Sequence, residues 1–327
     1  MRNILVTGGT GFIGANLAAA LVQQGCDVRI LRRPGSDLRA IGSLNVEHAL
    51  GDVRDKGSLK SAMKGCDTVF HTAAIVSYWK KERPLMFDVN IGGTRNVVES
   101  CIELGIERLV HTSSIAAVGF PEDGTTADET NAFNWEHYDV GYRISKYEAE
   151  QEVRRGIERG LNAVIVNPSV VIGEKDIHFH AGQLIRDIYR RKIFYYVAGG
   201  MNIVYVGDVV RGQILAALRG RSGERYILSG HNLTHREIIS TIAEVVGGIK
   251  PLFKMPPTFV RLVATVSEGI ADGLGRRPWI TRELFAGSHL NYYFSCRKAE
   301  AELGYTRTPF REAVEKSFAW YRSHKML

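Results

Sequence analysis

A chain of 327 residues exceeds what a single hydrophobic core usually organises, so one large α/β domain with a smaller lobe appended is expected. Its 45% hydrophobic and 24% charged residues exclude a disordered, collagen-like or disulfide-scaffold protein. The net charge of +7 is spread along the chain with no aromatic-interleaved basic cluster, which excludes a recognisable nucleic-acid module and leaves a phosphate-bearing small molecule as partner.

The chain opens MRNILVTGG, a strand running into a turn, with no apolar export segment. Cys26, Cys66, Cys101 and Cys296 lack CxxC or metal-ligand spacing, so reduced thiols, no metal and a cytoplasmic location are expected. β-Branched runs at 3–6, 28–31, 46–49, 68–71, 108–112 and 163–166 alternate with amphipathic runs at 12–24, 58–63, 85–104 and 140–159. That alternation predicts an α/β fold with a Rossmann doubly wound parallel sheet over residues 1–168. After Pro168 the strands shorten, and helical patterns at 181–191, 209–219, 234–246 and 309–324 are separated by Gly-, Pro- and Arg-containing connectors. Residues 169–327 read as mainly a smaller C-terminal α/β substrate lobe, with 203–215 returning to the first domain. No run reaches 18 apolar residues, and the most lipid-like one, 258–274, is interrupted by Arg261, Glu268 and Asp272. It predicts a helix packed on its own domain; contact with a membrane surface is the alternative.

The first strand runs into TGGTGFIG at 7–14 and then a helix. Gly8, Gly11 and Gly14 there permit a tight turn, close approach of a pyrophosphate to the backbone, and close helix–sheet packing, the requirements of a dinucleotide site. Folds of this kind that select NAD place an acid after the second strand. Arg32 and Arg33 stand there instead, and a guanidinium suits a 2'-phosphate, so NADP(H) is favoured over NAD(H). Asp52 and Val53, after the third strand, are placed to flank the adenine.

Tyr142 and Lys146 lie four apart on a predicted helix and share one face. Bringing a phenol from pKa ~10 to neutrality requires roughly 4 kcal/mol, which a lysine charge about 4 Å away could supply at moderate dielectric. Tyr321 and Lys325 repeat the spacing in the tail, far in sequence from the glycine turn, so context selects Tyr142. Ser114, ending the fifth strand, is the hydroxyl expected to polarise the reacting oxygen, with Ser113 as the neighbouring candidate.

In order along the chain, TGGTGFIG, GDVRD at 51–55, HTAA at 71–74, DVNIGGT at 88–94, TSS at 112–114, YRISK at 142–146 and NPSVVIG at 167–173 make it resemble the extended short-chain dehydrogenase/reductases. LRRPGSD, TSSIAAVG and GERYILSG are similar to the dihydroflavonol-reductase-like branch, including the hopanoid-associated sugar epimerases. The resemblance implies that Tyr142 exchanges a proton with the substrate oxygen, Lys146 also holds the nicotinamide ribose, and Ser114 orients the carbonyl. It implies cofactor contacts from Phe12, Ile13, Asp52, Val53, Ala73, Ala74, Asn90 and Pro168, with Arg33 meeting the 2'-phosphate. It places Ser77, Tyr78, Trp79, His178 and Phe179 against substrate, and the helices at 85–104 and 140–159 in a homodimer bundle. The leading expectation is a carbonyl reductase. The alternative is a sugar-nucleotide epimerase or dehydratase with retained NAD(P), using Asn167 on a sugar hydroxyl and Arg186, Arg190, Arg191 and Lys192 on a diphosphate. A non-catalytic NADP sensor is a third, against which the tyrosine stands.

Overall fold

The computed structural model describes residues 1–121, 123–285 and 290–327. Its strands in the first half are β1 (Asn3–Thr7), β2 (Asp27–Arg32), β3 (Glu47–Leu50), β4 (Thr68–His71), β5 (Arg108–Thr112) and β6 (Ala163–Pro168). All six meet the sequence expectation to within two residues. The second half holds β7 (Val170–Ile172), β8 (Tyr195–Tyr196), β9 (Gly200–Tyr205), β10 (Arg225–Leu228), β11 (His231–Thr234), β12 (Phe253–Lys254) and β13 (Asn291–Tyr292).

The main sheet has the order β3-β2-β1-β4-β5-β6-β10, parallel throughout, so the chain reverses direction of winding between β1 and β4. Both faces are covered, which is why the central strands read as unbroken apolar runs rather than alternating ones. One face carries helices Phe12–Gln23 and Val206–Arg219, whose Leu17, Leu21, Val209 and Ile214 pack with Val6, Phe70, Val110 and Val164. The other carries Lys56–Met63, Gly93–Leu104 and Gly141–Glu158, packing Leu59, Val97 and Val153 on Leu5, Val69 and Leu109.

Three features depart from the sequence expectation. The seventh strand, β10, pairs with β6 through Arg225↔Ile165 to Leu228↔Pro168; four residues deep in the second half carried too little periodicity to reveal it. Residues Val204 and Tyr205 end β9, the centre of a second sheet with β7, β11 and β13, and it is the following helix, Val206–Arg219, that lies on the main sheet. The helix expected at 85–104 is divided into Arg83–Phe87, a wide turn at Asp88–Gly92 and Gly93–Leu104. Gly93 is needed at the break because a Cβ there would stand 2.7 Å from the Val53 side chain.

Pro257–Leu274 is a helix, but it does not bury its large side chains. The small residues Ala264, Ser267 and Ala271 face inward, whereas Phe259, Leu262, Val266 and Ile270 are exposed. No helix among the described residues is long and apolar enough to cross a membrane.

Candidate functional site

Doubly wound sheets bind ligands beyond the carboxyl ends of their strands, where the winding reverses. Here β1 ends in Thr7 and passes into Gly8, whose φ of +69° only glycine adopts without strain, and a Cβ there would lie 2.7 Å from the Ala73 backbone. Gly11 donates its N–H to the Gly8 carbonyl at 2.9 Å, and a Cβ on Gly14 would meet that same carbonyl oxygen at 2.3 Å. No side chain caps the helix that begins at Phe12, which leaves its first-turn N–H groups, including those of Phe12, Ile13 and Gly14, directed at whatever anion occupies the turn. The cradle fits a pyrophosphate. Ala73 and Ala74 follow β4 on the opposite lip.

Arg32 closes β2 and donates from Nε to His48 at 3.0 Å, while Arg33, the next residue, is exposed. Asp52 lies beyond β3 and is held by Arg54 through its backbone N–H at 2.9 Å and its guanidinium at 2.9 and 3.1 Å. Those bonds keep its carboxyl below the usual range, with Arg33 adding to the effect, so the arginine and the aspartate share one corner. Val53 is buried against Gly93.

Across the cleft, Ser114 follows β5 and Tyr142 and Lys146 lie in the first turns of helix Gly141–Glu158. Ser114 stands beside the Tyr142 phenol and favours its ionised form. Tyr78 presents its ring edge to Tyr142, with centroids 5.8 Å apart. Lys146 is buried and donates from Nζ to the Thr112 carbonyl at 2.9 Å. Ser113 is turned into the interior, its hydroxyl without a partner, so of the two serines Ser114 faces the tyrosine.

The electrostatics differ from the simple expectation. Burial raises the Tyr142 phenol above its ordinary pKa, Tyr78 reinforces this, and only Ser114 opposes it. Burial also brings Lys146 down to about 8, against the pull of Glu150. Desolvation is the largest cause of both shifts, because burial penalises each charged form.

Residues 5–228 match the 3-beta hydroxysteroid dehydrogenase/isomerase family. The chain belongs to this family. A Synechocystis protein named for dihydroflavonol 4-reductase is 37% identical over 98% of this chain and 94% of its own length. Sterol demethylase protein B of Methylococcus capsulatus is 34% identical over 99% of both chains. The crystal structure of a nucleoside-diphosphate-sugar epimerase from Pseudomonas aeruginosa is 26% identical, covers 100% of this chain and 99% of that one, and superposes with a TM-score of 0.83. This hydroxysteroid-dehydrogenase relative is thus an extended short-chain dehydrogenase/reductase, an enzyme of nicotinamide-linked chemistry.

Asn90 and Asn167 are singled out in the sequence, but their partners, and the buried histidines beneath the site, escape it, since burial and long-range contacts decide them. Asn90, in the wide turn, accepts from Ile75 N–H at 2.8 Å and donates to the Ile75 carbonyl and Ser145 Oγ, both at 2.9 Å. Both amide hydrogens are therefore used to fix the loop carrying Ala73 to Tyr78. Asn167, just before Pro168, donates to the Ser114 carbonyl at 2.9 Å and to buried Glu150 at 2.6 Å. It holds the back of Ser114 and has no hydrogen left for a sugar hydroxyl. His71 and His111, side by side under the site with ring centroids 5.3 Å apart, are kept neutral by burial.

The residues assigned to substrate divide into two groups. Ser77, Tyr78 and Trp79 line a small cavity with Arg277, Trp279 and Leu284, and Tyr78 joins it to Tyr142. His178 and Phe179 point elsewhere: His178 lies near Asp37 and edge-on to His180, and Phe179 stacks on Tyr321 with centroids 4.9 Å apart. Arg186 lies over the Phe179 ring, while Arg190, Arg191 and Lys192 are exposed to solvent. Tyr321 of the tail pair is buried, donating to Asp176 at 3.3 Å, remote in role from the glycine turn.

Proposed function

We propose that the protein is an NADP(H)-dependent carbonyl reductase for an apolar cyclic ketone, working in either direction, with Tyr142 as the proton donor. The neighbouring Ser114 and Tyr142, with buried Lys146 one helical turn on and an uncapped glycine turn across the cleft, carry this reading. When bound, the nicotinamide would supply the hydride that the reduction requires. Ser114 donates to the carbonyl oxygen and Tyr142 delivers the proton, producing an alcohol and a phenolate that water reprotonates. Lys146 stabilises that phenolate from beneath. Arg33 and Arg32 meet the 2'-phosphate, Asp52 and Val53 border the adenine, and Ala73, Ala74 and Pro168 line the path between. The apolar substrate is supported by the flavonol and sterol names of the two relatives and by the Tyr78–Trp79–Trp279 wall.

The fold likeness to a nucleoside-diphosphate-sugar epimerase supports a second reading, in which hydride leaves and returns to the same sugar. Of the groups offered for that substrate, Asn167 spends both amide hydrogens on Ser114 and Glu150 and Arg186 lies over Phe179, while Arg190, Arg191 and Lys192 are exposed. The deciding assay incubates the enzyme with NADPH or NADH and with either cyclic ketones or sugar nucleotides. Sustained NADPH oxidation with ketones is expected; inversion of a sugar without net oxidation would replace the reductase by the epimerase. Arg33→Asp should weaken NADPH more than NADH, read as the ratio of their KM values.

A further inference from the structure

The helix Pro257–Leu274 is built inside out. At about 100° per residue, Phe259, Leu262, Val263, Val266, Ile270 and Leu274 fall within about 120° of arc. All six are exposed, Leu262 by 58% and Leu274 by 66%. The buried side chains of the same helix are Ala264, Ser267 and Ala271, on a neighbouring strip. A helix that packs its small residues and leaves its large ones in water has a second surface to cover.

The patch continues beyond the helix. Leu252 and Phe253 are exposed in the segment that leads into it, and Trp279, 88% exposed, stands just after it. Ser267 fixes that return, accepting the N–H groups of Trp279 and Ile280 at 3.1 and 3.3 Å. Trp279 and Leu284 also line the cavity of Ser77, Tyr78 and Trp79, so the apolar surface reaches the entrance beside Tyr142.

Charge identifies the occupant. Lys254, Arg261 and Arg276 are exposed around the stripe and have no carboxylate partner among the described residues, whereas Glu268 is already neutralised by Arg282 at 2.5 Å. An apolar arc bordered by free cations, with an interfacial tryptophan, matches the apolar and anionic layers of a phospholipid surface. We infer that helix Pro257–Leu274 and Trp279 dock this enzyme on an anionic lipid bilayer, with the entrance to the Tyr142 cleft facing the membrane. A second copy of the chain would bring the same cations against one another.

The inference concerns binding and stands whether or not the reductase reading holds. The full chain is sedimented with vesicles of phosphatidylcholine alone and of phosphatidylcholine with phosphatidylglycerol. Binding to the anionic vesicles is expected, weakened by high salt, with a blue shift of tryptophan emission that Trp279→Phe abolishes. Leu262→Glu with Val266→Glu should abolish binding while leaving the melting temperature unchanged, since both side chains are exposed in the fold. Lys254→Gln and Arg276→Gln should each weaken it about fivefold. Absence of binding to either vesicle would overturn the inference. So would a concentration-dependent dimer that Leu262→Glu dissociates, because the stripe would then belong to a second copy.

Discussion

The pKa of Tyr142 is raised, not lowered, because the protein interior and the Tyr78 ring surround its hydroxyl. A phenol in that condition is a poor base and a competent acid only once a bound carbonyl offers it a partner, which suits delivery of a proton to a developing alkoxide. Replacing it by Phe should lower kcat on the order of 10³-fold while calorimetry finds cofactor affinity unchanged. Lys146 titrates at about 8, so its charge is present below that pH and is lost as pH rises through it. The kcat/KM for reduction should therefore fall above an apparent pKa near 8 in a pH–rate profile. Residue spacing made Ser114, Tyr142 and Lys146 legible as neighbours, because helix periodicity and strand ends are local properties. The direction of the phenol's shift was not legible, being set by Tyr78 and by burial, and neither were the Asn167–Glu150 and Asn90–Ile75 bonds, whose partners lie 17 and 15 residues away.

At the level of elements, the strand–turn–helix unit at the N-terminus was the most legible part of the chain, since each glycine is required by a specific contact. Gly8→Ala should cost at least about 2 kcal/mol from the positive φ alone, and the collision with Ala73 should add to it, seen as a lower denaturation midpoint and lost cofactor binding. The segment after β7 behaves differently. Asp176 ties His180 by a 2.8 Å bond to its Nδ1 and accepts Gly182 N–H, closing the turn onto Tyr321. Asp176 raises the His180 pKa, so this pair stabilises the fold fully below the ordinary histidine pKa and its contribution disappears as pH rises through the raised value. His180→Gln should thus lower the melting temperature more at pH 5.5 than at pH 9, to be followed by circular dichroism. Sequence patterns located these helices, whereas the family resemblance assigned His178 and Phe179 to substrate and could not show that Phe179 packs inward on Tyr321.

Across the whole molecule, the parallel sheet was predicted from alternating runs, yet its last strand was missed because its four residues carry too little periodicity. β10 completes the hydrogen bonding of β6 while Arg225, its first residue, donates to the carbonyls of Glu129 and Asn131 and lies 3.5 Å from Glu150 behind Asn167. The cofactor half is therefore not autonomous: a fragment ending at residue 220 should lack a cooperative thermal transition, whereas the full chain shows one. This arrangement also constrains synthesis. While the ribosome is still making the residues that precede β10, the newly emerged β6 presents an edge of unpaired backbone groups flanked by the apolar side chains of Ala163 to Val166, and the nascent protein depends on chaperones or on speed to keep that edge from joining another molecule.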